Sequence, residues 1–285
     1  MFKKNYRKSA FSTLITIFKG LLIGSVDIVP GVSGGTIALM LSVYDKLIFE
    51  LNNLLMAGKD MLRYGKLNFS DVDVRFLFNI FLGASLGIFL LSNLLLYLIN
   101  LFPAFMYGLF ISLVVVTSLV LFFSLSFSKI IILFSVGGVL LGHGVSYINF
   151  AANDSLLYLF VSAFTAVFAL VLPGLSGAYI LLVLGQYEGV LLLISEPFAN
   201  LNALGVFMSG AITGGLVVVK LLGKFLNSHR NKIMAFMAGL MLGSISILLD
   251  FVRSFPGSFF AFNGFSLGIL FAVFYFLYSS KLRSI

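Results

Sequence analysis

The sequence predicts an all-α polytopic membrane protein forming one integral membrane domain, on three observations: its apolarity, a motif that occurs twice, and the placement of its charges. Of 285 residues, 60% are hydrophobic and 10% charged, with a mean hydropathy of +1.13, well beyond the needs of a soluble domain. A spanning helix takes roughly 20 apolar residues, so there is material for about six to ten crossings. Stretches such as "LLSNLLLYLI" and "LGILFAVFYFLY" lack the alternation of a membrane β-strand, which leaves helices.

The duplicated motif is "PGVSGGTIALMLSVY" at Pro30 to Tyr44 and "PGLSGAYILLVLGQY" at Pro173 to Tyr187, an ungapped match with eight identities in fifteen positions. An acid follows each copy, Asp45 and Glu188. The offset is 173 − 30 = 143, about half the chain. Apolar composition raises chance identity but does not put Pro, Gly, Ser, Gly and Tyr in register. A weaker echo pairs "GASLG" at Gly83 to Gly87 with "GAITG" at Gly210 to Gly214. The chain therefore reads as two structural repeats, residues 1–149 and 150–285.

Charge decides their relative orientation. With Lys3, Lys4, Arg7 and Lys8 in the cytoplasm, residues 12–50 enter the membrane as a broken-helix hairpin, turn at Pro30–Gly31 and return to the same side. The segment that follows carries Lys59, Arg63, Lys66 and Arg75 among Leu and Met and suits an amphipathic surface helix. Spans over about 76–100, 104–124 and 130–148 complete the first repeat. The second has a hairpin over 156–194, entering from outside, and spans over about 202–222, 233–249 and 258–280. Three spans per repeat make the two inverted and leave both termini cytoplasmic. Only Arg253 among the eighteen Lys and Arg then falls outside, with Lys19 inside the first hairpin, the bias of the positive-inside rule. The rival arrangement, in which each hairpin arm crosses fully, is permitted by length.

The formal charge of +8 does not indicate nucleic acid, because the basic residues are spread over loops and termini instead of forming a stripe. Having no cysteine, the chain offers no disulfide, zinc–thiolate site or thiol nucleophile. Its basic-then-apolar start lacks a small-residue cleavage site and is read as retained.

Breaking a hydrophobic helix at mid-membrane is costly unless the freed backbone is buried in protein or lines a polar cavity. Proline suits the start of a half-helix, where its missing N–H is not needed. After Pro30, the residues Gly31, Ser33, Gly34, Gly35 and Thr36 present N–H groups and hydroxyls at a positive helix terminus, an anion site. Pro173, Gly174, Ser176 and Gly177 supply the same group from the opposite leaflet, so two half-helix N-termini can cradle one anion. The competing reading is close helix packing, which is the expectation for Gly20, Gly24, Gly83, Gly87, Gly210 and Gly214. Lys19 and Asp27 are charges within the membrane, where each needs a partner or a task. Lys19 either pairs with the anion or snorkels to the interface; Asp27 either carries a coupling ion, H+ or Na+, or caps a helix. Tyr44, Tyr187 and Glu188, at the ends of the motif copies, and Arg230, which could gather lipid phosphate, are secondary candidates. His143 titrates or bonds between helices.

At "GSVDIVPGVSGGTIALMLSVYDKLI" and "LVLPGLSGAYILLVLGQYE" the sequence resembles the DUF368 family, associated with polyprenyl-phosphate transporters, and the half-length repeat extends the likeness over nearly the whole chain. Ser42, where the family pattern has glycine, and Asp45, where it has glutamate, depart from it. The resemblance implies a flippase that returns undecaprenyl phosphate from the outer to the inner leaflet of the bacterial cytoplasmic membrane for reuse in cell-wall polymer synthesis. It implies no catalysis, cofactor or metal, and leaves the oligomeric state open. The alternative is a secondary transporter of a small soluble anion. A lipid phosphatase would need a nucleophile with a base or metal ligands, no Gly-Lys-Ser/Thr follows the glycines as in a P-loop, and a channel is less expected from paired inverted hairpins.

Overall fold

Long apolar runs that must satisfy their own backbone form helices, and in the computed structural model every regular element among the described residues is helical. Those residues are 10–27, 32–65, 69–148, 150, 153, 155–196, 198–253, 262–270 and 273. Pro30, Gly31, both termini and most of the span expected over 258–280 lie outside them. The elements are α1 (Ala10–Asp27), α2 (Gly34–Met40), α3 (Tyr44–Tyr64), α4 (Val74–Leu86), α5 (Ser92–Leu101), α6 (Pro103–Phe123), α7 (Lys129–Val145), α8 (Leu156–Val171), α9 (Gly177–Val183), α10 (Tyr187–Ser195) and α11 (Leu201–Arg253), followed by α12 at 262–270.

Three elements differ from the sequence expectation. The single span expected over 76–100 is α4 and α5 joined by a π-helical turn, Gly87–Leu91, beginning where Gly87 meets the Leu21 carbonyl. The loop expected after residue 222 is absent, because α11 stays helical up to His229, whose φ −138, ψ 41 breaks it. A straight helix of that length would run about 80 Å, more than twice a bilayer core, so the break turns one helix into two span-length arms. The helices that follow the two expected hairpin turns, α2 and α9, are also only seven residues long. The rest of the expected return arm belongs to α3 and α10.

What stops each short arm is one turn used twice. Ser42 N–H donates to Leu39 O (2.9 Å) and Val43 N–H to Ala38 O (3.0 Å); Gly185 N–H donates to Leu182 O (2.9 Å) and Gln186 N–H to Leu181 O (2.8 Å). This is the Schellman pattern, which needs a left-handed residue just past the helix. Gly185 supplies φ 64 and Ser42 φ 57, and 185 − 42 = 143, the repeat offset.

Small residues set the packing, as expected where helix backbones must meet in lipid. Gly83 of α4 and Gly87, the first residue of the π-helical turn, lie on the carbonyls of Ile17 and Leu21 of α1, while Gly210 and Gly214 of α11 lie on those of Phe160 and Phe164 of α8. The carbonyls are again 143 apart (160 − 17, 164 − 21). Between the halves, Gly138 and Gly142 of α7 meet the carbonyls of Phe236 and Leu240 of α11, and Gly264 and Gly268 of α12 meet those of Phe105 and Leu109 of α6. Each half thus hands its last described helix to the other.

The entry and exit of each hairpin are tied together. Arg75 Nη2 donates to Thr13 Oγ1 (2.5 Å), Lys46 Nζ to Asp73 Oδ2 (2.6 Å) and Asp73 N–H to Glu50 Oε2 (2.8 Å), which gathers the starts of α1, α3 and α4. In the second half, Phe150 N–H reaches Val183 O (2.8 Å) and Gln186 Nε2 reaches Asn153 O (2.9 Å), joining the end of α9 to the segment that leads into α8. Met234, Met237, Leu240, Met241 and Leu248 of α11 are the solvent-free centre, while Phe89, Leu133, Leu140, Leu157 and Leu192 stand exposed. Large apolar side chains outside and a close-packed core inside are what a lipid-facing helical bundle requires.

Candidate functional site

The duplicated motifs meet. Ser33 (φ −113, ψ 123) and Ser176 (φ −109, ψ 126) hold the N-cap positions of α2 and α9 in matching backbone conformations. Gly174 N–H donates to Thr36 Oγ1 at 3.0 Å, and Ser33 Oγ donates to Leu172 O at 3.4 Å. Gly35 lies so close to Pro173 that an added Cβ would sit 3.2 Å from the proline nitrogen. Gly174 takes φ +93, and a Cβ there would lie 2.6 Å from the Met241 nitrogen, so only glycine fits this turn between α2 and α11. Ser33, Thr36 and Ser176 are buried, so these polar contacts are made away from solvent, where an unmade one is expensive. Pro30 and Gly31 lie outside the described residues.

Charges are handled differently in the two halves. Asp27, the last residue of α1, accepts the Gly34 N–H on Oδ1 at 2.7 Å, so a carboxylate holds the first turn of α2. Its repeat equivalent is Leu170, and Ser176 instead caps its own helix by accepting the Tyr179 N–H at 3.3 Å. Lys19 Nζ donates to Leu41 O at 2.8 Å, at the C-terminal end of α2 and therefore about 10 Å along that helix from Ser33. The equivalent carbonyl, Leu184 O, accepts from Tyr158 OH at 3.0 Å, so one tyrosine hydroxyl does in the second half what the ammonium does in the first. Ser162, the counterpart of Lys19, is buried, and its hydroxyl has no partner among the described residues.

At the exit of the first hairpin, Tyr44 is 2% exposed and its hydroxyl donates to Val171 O at 3.0 Å, across the two halves. Next to it, Asp45 Oδ2 accepts from Arg230 Nη2 at 2.5 Å, one residue past the break in α11. Tyr187 is half-buried and Glu188 exposed; Tyr187 lies within electrostatic reach of Tyr107. His143 pairs with Tyr147 one turn along (3.0 Å) rather than with another helix.

Sequence reasoning missed the acceptors: the carbonyls of Val171 and Leu172, and of Leu41 and Leu184. It also missed Tyr158. The repeat offset was the available signal, since any side chain serving Leu41 poses the question of what serves Leu184. The junction gathers N–H groups, hydroxyls and one carboxylate, and in this conformation they engage one another and nearby carbonyls.

A family described as undecaprenyl phosphate translocase-like matches residues 23–255, both motifs included. A polyprenyl-phosphate transporter from Vibrio cholerae is 29% identical over 239 residues, covering 81% of this chain and 76% of that protein. Another from Staphylococcus aureus is 30% identical over 249 residues, covering 81% of this chain and 84% of that one. No solved structure matches. These are names of transporters, not enzymes, and the chain belongs to the undecaprenyl phosphate translocase-like family.

Proposed function

We propose that this protein carries polyprenyl phosphate across the bacterial cytoplasmic membrane, taking undecaprenyl phosphate from the outer to the inner leaflet, and that it does so with two inverted repeats, each a re-entrant hairpin plus three spans. The observation that supports this most is the junction itself: Gly174 N–H on Thr36 Oγ1, with Gly35 against Pro173, brings the two motif copies into one place. The names of the relatives fit that reading, as do the ties that bring each hairpin back to where it entered. The phosphate would be held by Ser33, Gly34, Gly35, Thr36, Ser176 and Gly177, with Pro30, Gly31, Pro173 and Gly174 shaping the turns, while the prenyl tail stays in lipid.

Asp27 enters this scheme as a resident anion. Its carboxylate holds the Gly34 N–H, so an arriving phosphate competes with it, and taking up a proton or a sodium ion would release that N–H. Such uptake would also offset moving a dianionic head against a negative-inside potential. Lys19, at the far end of α2, steadies that arm and stands ready as a counter-charge at depth. Tyr44, Tyr187, Glu188 and Arg230 flank the route.

The test is transbilayer movement of labelled undecaprenyl phosphate in liposomes containing the protein, beside Ser33→Ala/Ser176→Ala and Asp27→Asn variants, with and without a pH gradient. Movement should fall at least tenfold in the double variant, and Asp27→Asn should remove the gradient dependence. Folded wild-type protein that moves no lipid under any gradient would turn the reading to a small soluble anion.

A further inference from the structure

The two hairpin exits are equivalent in sequence but differ in the contacts they make among the described residues. On one face Tyr44 is buried, its hydroxyl bonded to Val171 O, immediately before the Leu172–Pro173–Gly174 turn. The neighbouring Asp45 is joined to Arg230. On the other face Tyr187 is half-buried and its hydroxyl makes no hydrogen bond among the described residues, and Glu188 is exposed and makes no ion pair among them. Two contacts therefore tie the first exit to the second half of the chain; among the described residues neither has a counterpart at the second exit, and Ile28, the repeat equivalent of Val171, lies outside them.

We infer that Tyr44–Val171 and Asp45–Arg230 together form a latch that closes the motif junction toward the face bearing Arg230. The inference rests on the transport reading above, in which the Arg230 face is cytoplasmic and is the side of release. The latch is placed to couple to movement, because Arg230 follows directly on His229, the one non-helical residue of α11. The N-terminal arm of α11 packs on α3 through Gly223 against Asn52, while the arm past the break is core. Opening toward the cytoplasm has to lift α3 and Tyr44 away from the end of α8 and part Asp45 from Arg230. The pair is about half exposed on both sides, so it biases an equilibrium rather than locking it, by about fivefold at most. The part-buried tyrosine hydrogen bond supplies the remainder.

The chain has no native cysteine, which allows a clean test. A single cysteine in place of Ser33 is labelled in proteoliposomes by a membrane-impermeant maleimide added from either face. With the latch intact, labelling from the Arg230 face should be slow. Arg230→Gln should raise it about two- to fivefold, and the charge swap Asp45→Arg/Arg230→Asp should bring it back. In a second arm, an Asp45→Cys/Arg230→Cys disulfide should stop lipid movement, with reductant restoring it. Labelling from the Arg230 face that ignores Arg230→Gln, a swap that fails to restore the slow rate, or a cross-linked protein that transports freely would each overturn the latch. Labelling does not depend on the cargo, so a latch that responds in a protein that moves no lipid would sink the transport reading alone.

Discussion

In the first hairpin the α2 N-terminus is held from outside, by Asp27 on the Gly34 N–H, and Ser33 turns its hydroxyl to the Leu172 carbonyl. In the second, Leu170 stands where Asp27 would, and Ser176 caps α9 itself through Tyr179. The far ends differ in the same way, an ammonium on Leu41 O against a phenol on Leu184 O. Yet the cap dihedrals, the closing turns and the carbonyls under the glycines agree position by position across the 143-residue offset. The repeat is thus a repeat of backbone, and ionisable groups have been fitted to one copy.

Substitutions that strike the copies unequally test that comparison. The largest effect is expected for Gly174→Ala, whose methyl would fall 2.6–2.9 Å from backbone atoms of Leu240 and Met241 at φ +93. A cost of about 3 kcal/mol or more should appear as lost folded protein in thermal unfolding. Gly35→Ala, with 3.2–3.3 Å to Pro173, should cost less than half of that. Next come the paired tyrosines. Tyr44→Phe strands the part-buried Val171 carbonyl and should cost about 1–2 kcal/mol, whereas Tyr187→Phe, whose hydroxyl has no partner among the described residues, should cost less; a Tyr44→Phe variant of unchanged stability would contradict the contact.

Helix caps come third. Asp73 accepts the Phe76 N–H at 3.0 Å and Ser155 the Tyr158 N–H at 3.2 Å, and either residue changed to Ala should cost about 1 kcal/mol. Only the first should titrate. Burial pushes the Asp73 carboxyl up, but the Lys46 hydrogen bond, the Phe76 N–H and the charges of Lys46 and Arg75 outweigh it and hold it below its ordinary value. An acid held low in the folded state contributes fully above its unfolded value, about pH 4, and loses that contribution as pH falls through the folded one. Unfolding followed from neutral pH downward should therefore show an acid-side slope that Asp73→Asn reduces and Ser155→Ala leaves alone. The smallest effect is a gain: Ser42→Gly relieves a left-handed serine and should raise stability by about 0.5–1 kcal/mol.

The membrane class, the duplication and the glycine-lined helix pairs were legible in the sequence because composition and period carry them. Gly83, Gly87, Gly210 and Gly214 pack as small residues should. Ser42 was visible as a departure where glycine was expected, and it holds a left-handed angle. The seven-residue return arms were not legible: "TIALMLSVY" is apolar but for Thr36, Ser42 and the tyrosine hydroxyl, and so few polar positions set no period that marks where one helix stops and the next begins. Lys224, His229, Arg230 and Lys232 read as a loop, yet basic side chains at an exposed helix break cost little, and the helix persists to His229. Contacts such as Tyr44 with Val171 or Asp45 with Arg230 join residues more than a hundred positions apart and leave no local trace. The Leu41 carbonyl that engages Lys19 is nearer in sequence, 22 positions away, but a backbone acceptor carries no side-chain signal.

The exchange of helices between the halves also bears on how the protein is made. As the first half leaves the ribosome, the glycine face of α7 has no partner until residues 236–243 emerge, and the surface of α6 around Phe105 and Leu109 waits for Gly264 and Gly268. These small-residue faces cannot be satisfied by lipid as well as by a close backbone. The packing of α7 and α6 is therefore completed only when the late helices have emerged, whereas α1 and α4 can pair as soon as both are made.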